Sequence, residues 1–439
     1  MLKVLGAVLD RGVREAEVYL RTSRNLTVEV RDQRIDTLET SRSMGYSLRI
    51  MQDGCLGFSY STDPKDFSGV IQRALESSRH SSPDQFLGLP RAALPKAVAV
   101  HDSLVETLPE DEALSRVLAM ERAAFARDSR VRKVRKASGS FSTNFTCIAN
   151  SHGLEGCYSS TACTAQIMVV VESEGESQIG WDFEGSRFLN EISFDRVGTA
   201  AAGRALQLLG GKRLSPVKAS VLLDSATACD FLSLLAHSLS AEAVQKGKSM
   251  LAGKTGTPLA SGIVRVTDNG LMDGMLGSKP FDDEGVPTGE RVLIGEGVLR
   301  GYLHNTYTAA KEGLPSTGNA LRGGFSRLPS VGGTNLFIGP SPTATANSED
   351  FLIKKLDTGL FVTETMGMHT ANPVTGEYSV GVSGVWVEGG LKRYPVREAL
   401  ISGTVLDLFR GICGVGDDLK FYGNIGSPSL LIEGVDISG

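Results

Sequence analysis

Two alternating runs around Asp53-Gly54 constrain this chain more than any other stretch. Tyr46, Leu48 and Ile50 alternate before the pair, and Leu56, Phe58 and Tyr60 alternate after it. Asp-Gly between period-2 runs signals a two-residue β-hairpin, because both turn positions need positive φ. Antiparallel sheet is therefore expected early in the chain. LTVEV (26–30) alternates as well, and residues 130–187 read as further strands. Glycine is abundant at 51 residues and aromatics are sparse at 6%, which suits many tight turns.

Helical periodicity interrupts these strands at 2–14, 65–80, 110–127 and 195–209. The Pro-rich stretch 81–97 reads as a connecting loop. GGKRLSPVK (210–218) ends a helix and opens the apolar strand ASVLLD (219–224), so it marks a domain boundary. Two domains are expected, 1–210 and 217–439, since 439 residues exceed one ordinary core. Beyond the boundary the chain predicts hairpins at 291–303 and 384–396, a long helix at 226–250 and a shorter one at 399–412. Strands and helices grouped in this way define an α+β protein. The first half is a mixed α/β domain with an antiparallel sheet, and the second is β-rich with one long helix.

At 41% hydrophobic and 22% charged, the composition is that of an ordinary globular protein. The net charge of −5 offers no electrostatic case for nucleic acid or a membrane surface as partner. No apolar run approaches the ~20 residues of a membrane span, and the N-terminus lacks a signal-peptide cleavage site. The six cysteines form no CxxC pair and read as reduced, buried thiols in a cytoplasm.

Familiar catalytic motifs are absent. KGKSMLAGKTG (246–256) puts Lys248 where a phosphate loop needs its first Gly, and it follows a helix rather than a strand. Lys254-Thr255-Gly256 lacks the spacing of a serine β-lactamase. No two histidines share a helical face. FDDEGVP (281–287) carries an acidic knot that reads as a solvated turn before Pro287. On the 226–245 helix, Ala228, Phe231, Leu232, Leu235 and Leu239 form the apolar stripe, and His237 lies outside it.

Longer stretches carry a resemblance. They are VEVRDQRIDTLETSRSMGYSLRIMQDGCLGFSYS (28–61), DDEGVPTGERVLIGEGVLRGYLHNTYTA (282–309), STGNALR (316–322), NPVTGEYSVGVSGVWVEGG (372–390) and GVGDDLKFYGNIGSPSLLIEGVDISG (414–439). Through them the chain resembles the TldD/PmbA family, the so-called modulators of DNA gyrase, and most of all its PmbA/TldE branch. The resemblance covers essentially the whole chain. It implies an α+β N-terminal domain and a β-rich, barrel-like C-terminal domain. It also implies pairing of TldD with PmbA/TldE chains into a peptidase of small or unfolded peptides, with zinc in the TldD-like chain. No basic stripe supports DNA binding.

TldD-like chains hold zinc with an HExxxH helix and a later cysteine. Anchored on KGKS (246–249), that slot falls on Leu232-Ser233-Leu234-Leu235-Ala236-His237. His237 matches the second ligand, Leu232 replaces the first, and Ser233 replaces the general base. A catalytic zinc needs three protein ligands and an open position, and its water needs a proton acceptor. Leucine cannot ligate. Gly416-Asp417-Asp418-Leu419 runs into KFYGNIG without the cysteine, and Cys413 does not match its place. The resemblance thus implies no catalytic residues, no metal in this chain and zinc only in a TldD-like partner. The remaining role is peptide binding by strand addition. The matched blocks supply the candidates Asp283 and Glu284 for a peptide N-terminus, Asn319, Arg322, Asn372 and Glu377 for main chain, and Tyr307 and His369 for side chains. Each also has a plainer reading as a turn or interface residue. The expected partners are a TldD-like subunit, or a second copy as homodimer, and a peptide. A stand-alone peptide-binding protein and an autonomous hydrolase with an unrecognised site are the alternatives.

Overall fold

The computed structural model describes residues 1–439. The first half opens with α1 (Leu2–Leu9) and three strands, β1 (Glu15–Arg31), β2 (Arg34–Gln52) and β3 (Cys55–Ser61). It continues with α2 (Phe67–Arg79), α3 (Ser103–Glu106), α4 (Glu110–Arg127), β4 (Val131–Asn150), β5 (Glu155–Ser173), β6 (Glu176–Ser186) and α5 (Phe194–Gln207). The strands form one antiparallel sheet, ordered β3-β2-β1-β4-β5-β6, which curls into a half-barrel.

The Asp53-Gly54 hairpin forms as expected, with both residues at positive φ and Gln52 paired with Cys55. Helix 2–14 stops at Leu9 instead. Its buried residues Val4, Leu5 and Val8 are already spent by then, and Gly12 turns the chain with φ +87. LTVEV is the end of a 17-residue strand. The β1–β2 turn places Asp32 and Gln33 in left-handed conformations. The fully buried Glu121 of α4 holds it, accepting from both backbone N–H groups at 2.9 and 2.6 Å.

Period-2 burial divides the sheet. Ala16, Val18, Leu48 and Ile50 face α1 and α2, while Leu26, Val28 and Val30 face α4 and α5. The alternate residues Glu17, Tyr19, Ser47 and Arg49 lie on the opposite face. That face meets the second half of the chain.

The second half contains β7 (Val217–Leu223), α6 (Ser225–Ser238), α7 (Ala241–Gln245), β8 (Val264–Asn269), β9 (Glu290–Gly295), β10 (Val298–Leu299) and α8 (Thr306–Glu312). Then come β11 (Ala320–Leu321), β12 (Ser330–Val331), β13 (Leu336–Pro340), α9 (Glu349–Leu356), β14 (Gly359–Met366), β15 (Glu377–Glu388) and β16 (Leu391–Thr404). It ends with α10 (Val405–Arg410), β17 (Ile412–Val415), β18 (Lys420–Tyr422), β19 (Ile425–Ser427) and β20 (Leu430–Ser438). The order β16-β15-β14-β7-β20 closes on itself, because β16 also pairs with β20. It is a five-stranded mixed barrel, with β14 and β7 parallel. A second sheet, β10-β9-β8-β13-β19-β18, lies across α6 from the barrel.

Both predicted hairpins are present, as β9–β10 and β15–β16. The 226–250 helix is corrected to two pieces. After Leu239 the backbone leaves the helix to exchange hydrogen bonds with Leu303, each 2.9 Å long. The 399–412 helix shrinks to α10, because residues 399–404 complete β16 and close the barrel. The all-thiol expectation is also corrected. Cys147 and Cys157 sit directly opposite on β4 and β5 and form a disulfide. Cys55, Cys163, Cys229 and Cys413 are free. No helix is long and apolar enough to cross a membrane.

Candidate functional site

α6 begins at Asp224, whose side chain accepts from the Thr227 N–H at 2.9 Å. It runs regularly to Ser238, with no altered turn. Phe231, Leu232, Leu235 and Leu239 are buried between the barrel and the second sheet. Phe231 packs edge-on against Tyr378 at 5.0 Å. Leu232 is 0% exposed, whereas Ser233 and His237 face solvent. Residues five apart diverge by about 140° on a regular helix, so the slots of Leu232 and His237 cannot converge on one ion without a bulge. The Ser233 hydroxyl donates back to the Cys229 carbonyl at 2.9 Å. After Leu419 the chain forms the tight hairpin β18–β19. It lies over α6 so closely that the Cys229 sulfur is 3.6 Å from the Ile425 carbonyl. Cys413 packs on the outer side of the barrel with Leu352 and Leu431. Nowhere do three or more His, Cys, Asp or Glu side chains assemble in an arrangement suited to a metal ion.

The acidic knot is corrected from a solvated turn to a buried one. Asp282, Asp283 and Glu284 are 1%, 6% and 1% exposed. Asp282 accepts from the N–H groups of Glu284, Val286 and Ala320 at 2.8–2.9 Å. Burial, with the Glu284 charge beside it, pushes the Asp282 carboxyl up to about 7. Glu284 is held below its ordinary range, against the cost of burial, mainly by the Arg49 guanidinium. Arg49 bridges Glu284 at 2.8 Å and Glu17 at 2.7 Å. Glu17 also pairs with Arg322, whose guanidinium stacks 4.7 Å above the Tyr19 ring. Lys279 reaches Asp283 at 3.4 Å. These groups form a buried, alternating charge chain across the seam between the two halves.

The eight groove candidates therefore separate. Asp283, Glu284 and Arg322 are seam residues with partners inside the protein. Asn319 is buried beside them and donates to Asp268 at 2.7 Å. His369, Asn372 and Glu377 are exposed on the loop 367–377. There Asn372 accepts from the Val374 and Thr375 N–H groups, which is an Asx turn. The Ser238 hydroxyl at the end of α6 donates to the Pro373 carbonyl in that loop at 3.2 Å. Tyr307 lines a cleft of about 460 Å³ between the halves, together with Arg49, Glu284, Glu242, Lys246 and Leu328. Its hydroxyl donates to Asp84 at 2.7 Å across the seam and holds that carboxyl below its usual range. A second seam cavity, about 390 Å³, is lined by Asp283 and Arg322.

Sequence reading missed Glu17, Tyr19, Arg49, Arg187 and Lys279. A signal existed for two of them. Glu17 and Arg49 interrupt apolar strands on the face opposite the core, and they are cross-strand neighbours. Only the docking of the second half turns that polar face into buried surface.

A half-barrel sheet joined by a buried seam to a mixed barrel with an internal helix defines the architecture. Comparison with known proteins finds the same architecture. Family signatures described as PmbA/TldA metallopeptidase domain 1, central domain and C-terminal domain match residues 16–81, 104–209 and 216–439. The chain belongs to the PmbA/TldD metallopeptidase family. Metalloprotease PmbA of Escherichia coli O157:H7 is 29% identical over 434 residues, covering 97% of this chain and 92% of the relative. A solved Thermotoga maritima protein, named for a suspected role as modulator of a DNA gyrase, superposes with a TM-score of 0.92 at 27% identity. That match covers 99% of this chain and 98% of the other. TldE from Thermococcus kodakarensis shares the fold, with a TM-score of 0.90 over the full length of both chains at 22% identity.

Proposed function

We propose that this chain is the non-zinc-binding, PmbA/TldE-like subunit of a cytoplasmic TldD-type peptidase complex acting on small or unfolded peptides. One observation carries the reading. Leu232, which stands at the family's first-ligand position, is sealed in the core, while His237 faces solvent without a second ligand. A lone imidazole does not supply the ligand count of a catalytic zinc. The metal, and the proton acceptor for its water, would come from a TldD-like partner.

On this reading the chain contributes peptide binding. The Tyr307 cleft has the volume of a small-ligand site and mixes charges of both signs. The exposed His369, Asn372 and Glu377 form a separate surface beside the end of α6. The same cleft favours the second reading, a stand-alone peptide-binding protein.

The test is cleavage of an unfolded peptide by pure chain, with and without a TldD-like partner, alongside zinc analysis. Cleavage is expected only in the mixture, with zinc following the partner. Cleavage by zinc-free pure chain would sink the subunit reading. So would one zinc per chain that disappears on His237→Ala.

A further inference from the structure

The second seam cavity has a charge imbalance that the seam pairs do not absorb. Its floor is the seam-facing side of the first sheet. Arg21 on β1 lies opposite Thr146 on β4, and Thr146 lies opposite Tyr158 on β5. Its roof comes from loops of the second half, which bring Lys279, Asp283 and Arg322. Arg187, just past β6, closes one side.

Lys279 pairs with Asp283, and Arg322 shares Glu17 with Arg49, which also holds Glu284. Arg21 and Arg187 complete the set, and five cations then face four carboxylates, Glu17, Asp282, Asp283 and Glu284, an excess of at least one positive charge. Neither Arg21 nor Arg187 has a carboxylate partner. The best contact of Arg21 is the Asn144 amide oxygen at 3.4 Å. Arg187 donates only to backbone carbonyls, those of Thr161, Met275, Leu276 and Ser278. These satisfy its N–H groups but leave its charge uncompensated. Arg322 is 2% exposed, yet its Nη1 has no hydrogen-bond partner in the protein. Arg21 and Arg187 are half-buried, and cations withdrawn from water without counter-charge are costly. Burial and the neighbouring Arg21 both hold the Arg187 guanidinium below its ordinary range.

We propose that this cavity is an oxyanion site, taking a carboxylate or phosphate group of a small ligand between Arg21, Arg187 and Arg322. Arginine forks match either group in bidentate geometry. The rings of Tyr19 and Tyr158 wall a space large enough for a small organic body behind the anion. Asn144, Ser160 and Asn424 add neutral polar groups at the rim. The site stands on its own charge and geometry and needs neither a partner subunit nor the peptidase reading.

Titration calorimetry of the isolated full-length chain tests it. The probes are inorganic phosphate, an N-acetylated dipeptide as free acid, and the same dipeptide as amide. One anion site per chain is expected, with affinity falling as salt rises. Preference for the free acid over the amide identifies a peptide terminus as the source of the anion. Binding of phosphate alone identifies free phosphate. Arg21→Gln is the informative variant, because Arg187 also clamps four carbonyls and its loss would disturb the loop. Arg21→Gln is expected to weaken the anion about ten-fold without lowering the Tm of the free chain, since it removes an uncompensated charge. Arg132→Gln, on an exposed part of β4, leaves binding unchanged. Absence of binding by all three probes overturns the proposal, as does wild-type affinity in Arg21→Gln. Either failure leaves the peptidase-subunit reading intact.

Discussion

On α6, Ser233 and His237 stand at the surface while the opposite face is sealed in apolar core. Along the seam the arrangement is reversed: charges are buried, and Glu17, Arg49, Glu284 and Arg322 each hold one another. On the proposed reading, the α6 position is where a zinc-binding partner would carry its chemistry. Here it carries packing, and a buried chain of ion pairs lies where the two halves meet. A helix can keep its place in a fold after its reactive groups are replaced, because Phe231, Leu232 and Leu235 suffice to hold it. A buried ion chain is less tolerant, because deleting one member strands the others.

That contrast can be broken by mutation. Glu17→Ala strands Arg322, leaves Arg49 only Glu284 as partner, and should cost about 3–5 kcal/mol, measured by chemical denaturation. A loss near zero would mean that water reaches the seam. Leu232→Ala on the buried side of α6 should cost about 2–5 kcal/mol through the cavity it leaves. A smaller loss would show that the helix is loosely packed and free to present other groups. Tyr307→Phe removes the hydrogen bond to Asp84 across the seam, and about 0.5–1.5 kcal/mol should go with it. His237→Ala should change stability by less than about 0.5 kcal/mol and leave the zinc content of the pure chain unaltered. If His237→Ala and Glu17→Ala cost the same, the distinction between helix and seam fails.

Much of the fold was legible in the sequence because its periodicities are local. The Asp53-Gly54 hairpin, α4, α5 and the β15–β16 hairpin follow from alternation, helical spacing and turn residues. The errors fell where a distant segment decided the outcome. Leu303 takes hydrogen bonds that would have continued the 226–250 helix, and β20 draws residues 399–404 into the barrel. The acidic knot read as solvated because no local pattern reveals a guanidinium contributed from the other half of the chain.

The sequence by itself determined the family and the side-chain chemistry available on α6. Leucine at 232 and serine at 233 offer neither a metal ligand nor a carboxylate base whatever the packing around them. Tertiary structure alone decided that Asp283, Glu284, Asn319 and Arg322 are buried at the seam rather than exposed on an outer surface, and that Tyr307 opens onto a cleft. It also decided that Arg21 and Arg187 share a cavity in which neither has a carboxylate partner. The reason is physical: side-chain chemistry is fixed residue by residue, whereas burial and charge pairing depend on which surfaces the fold brings together.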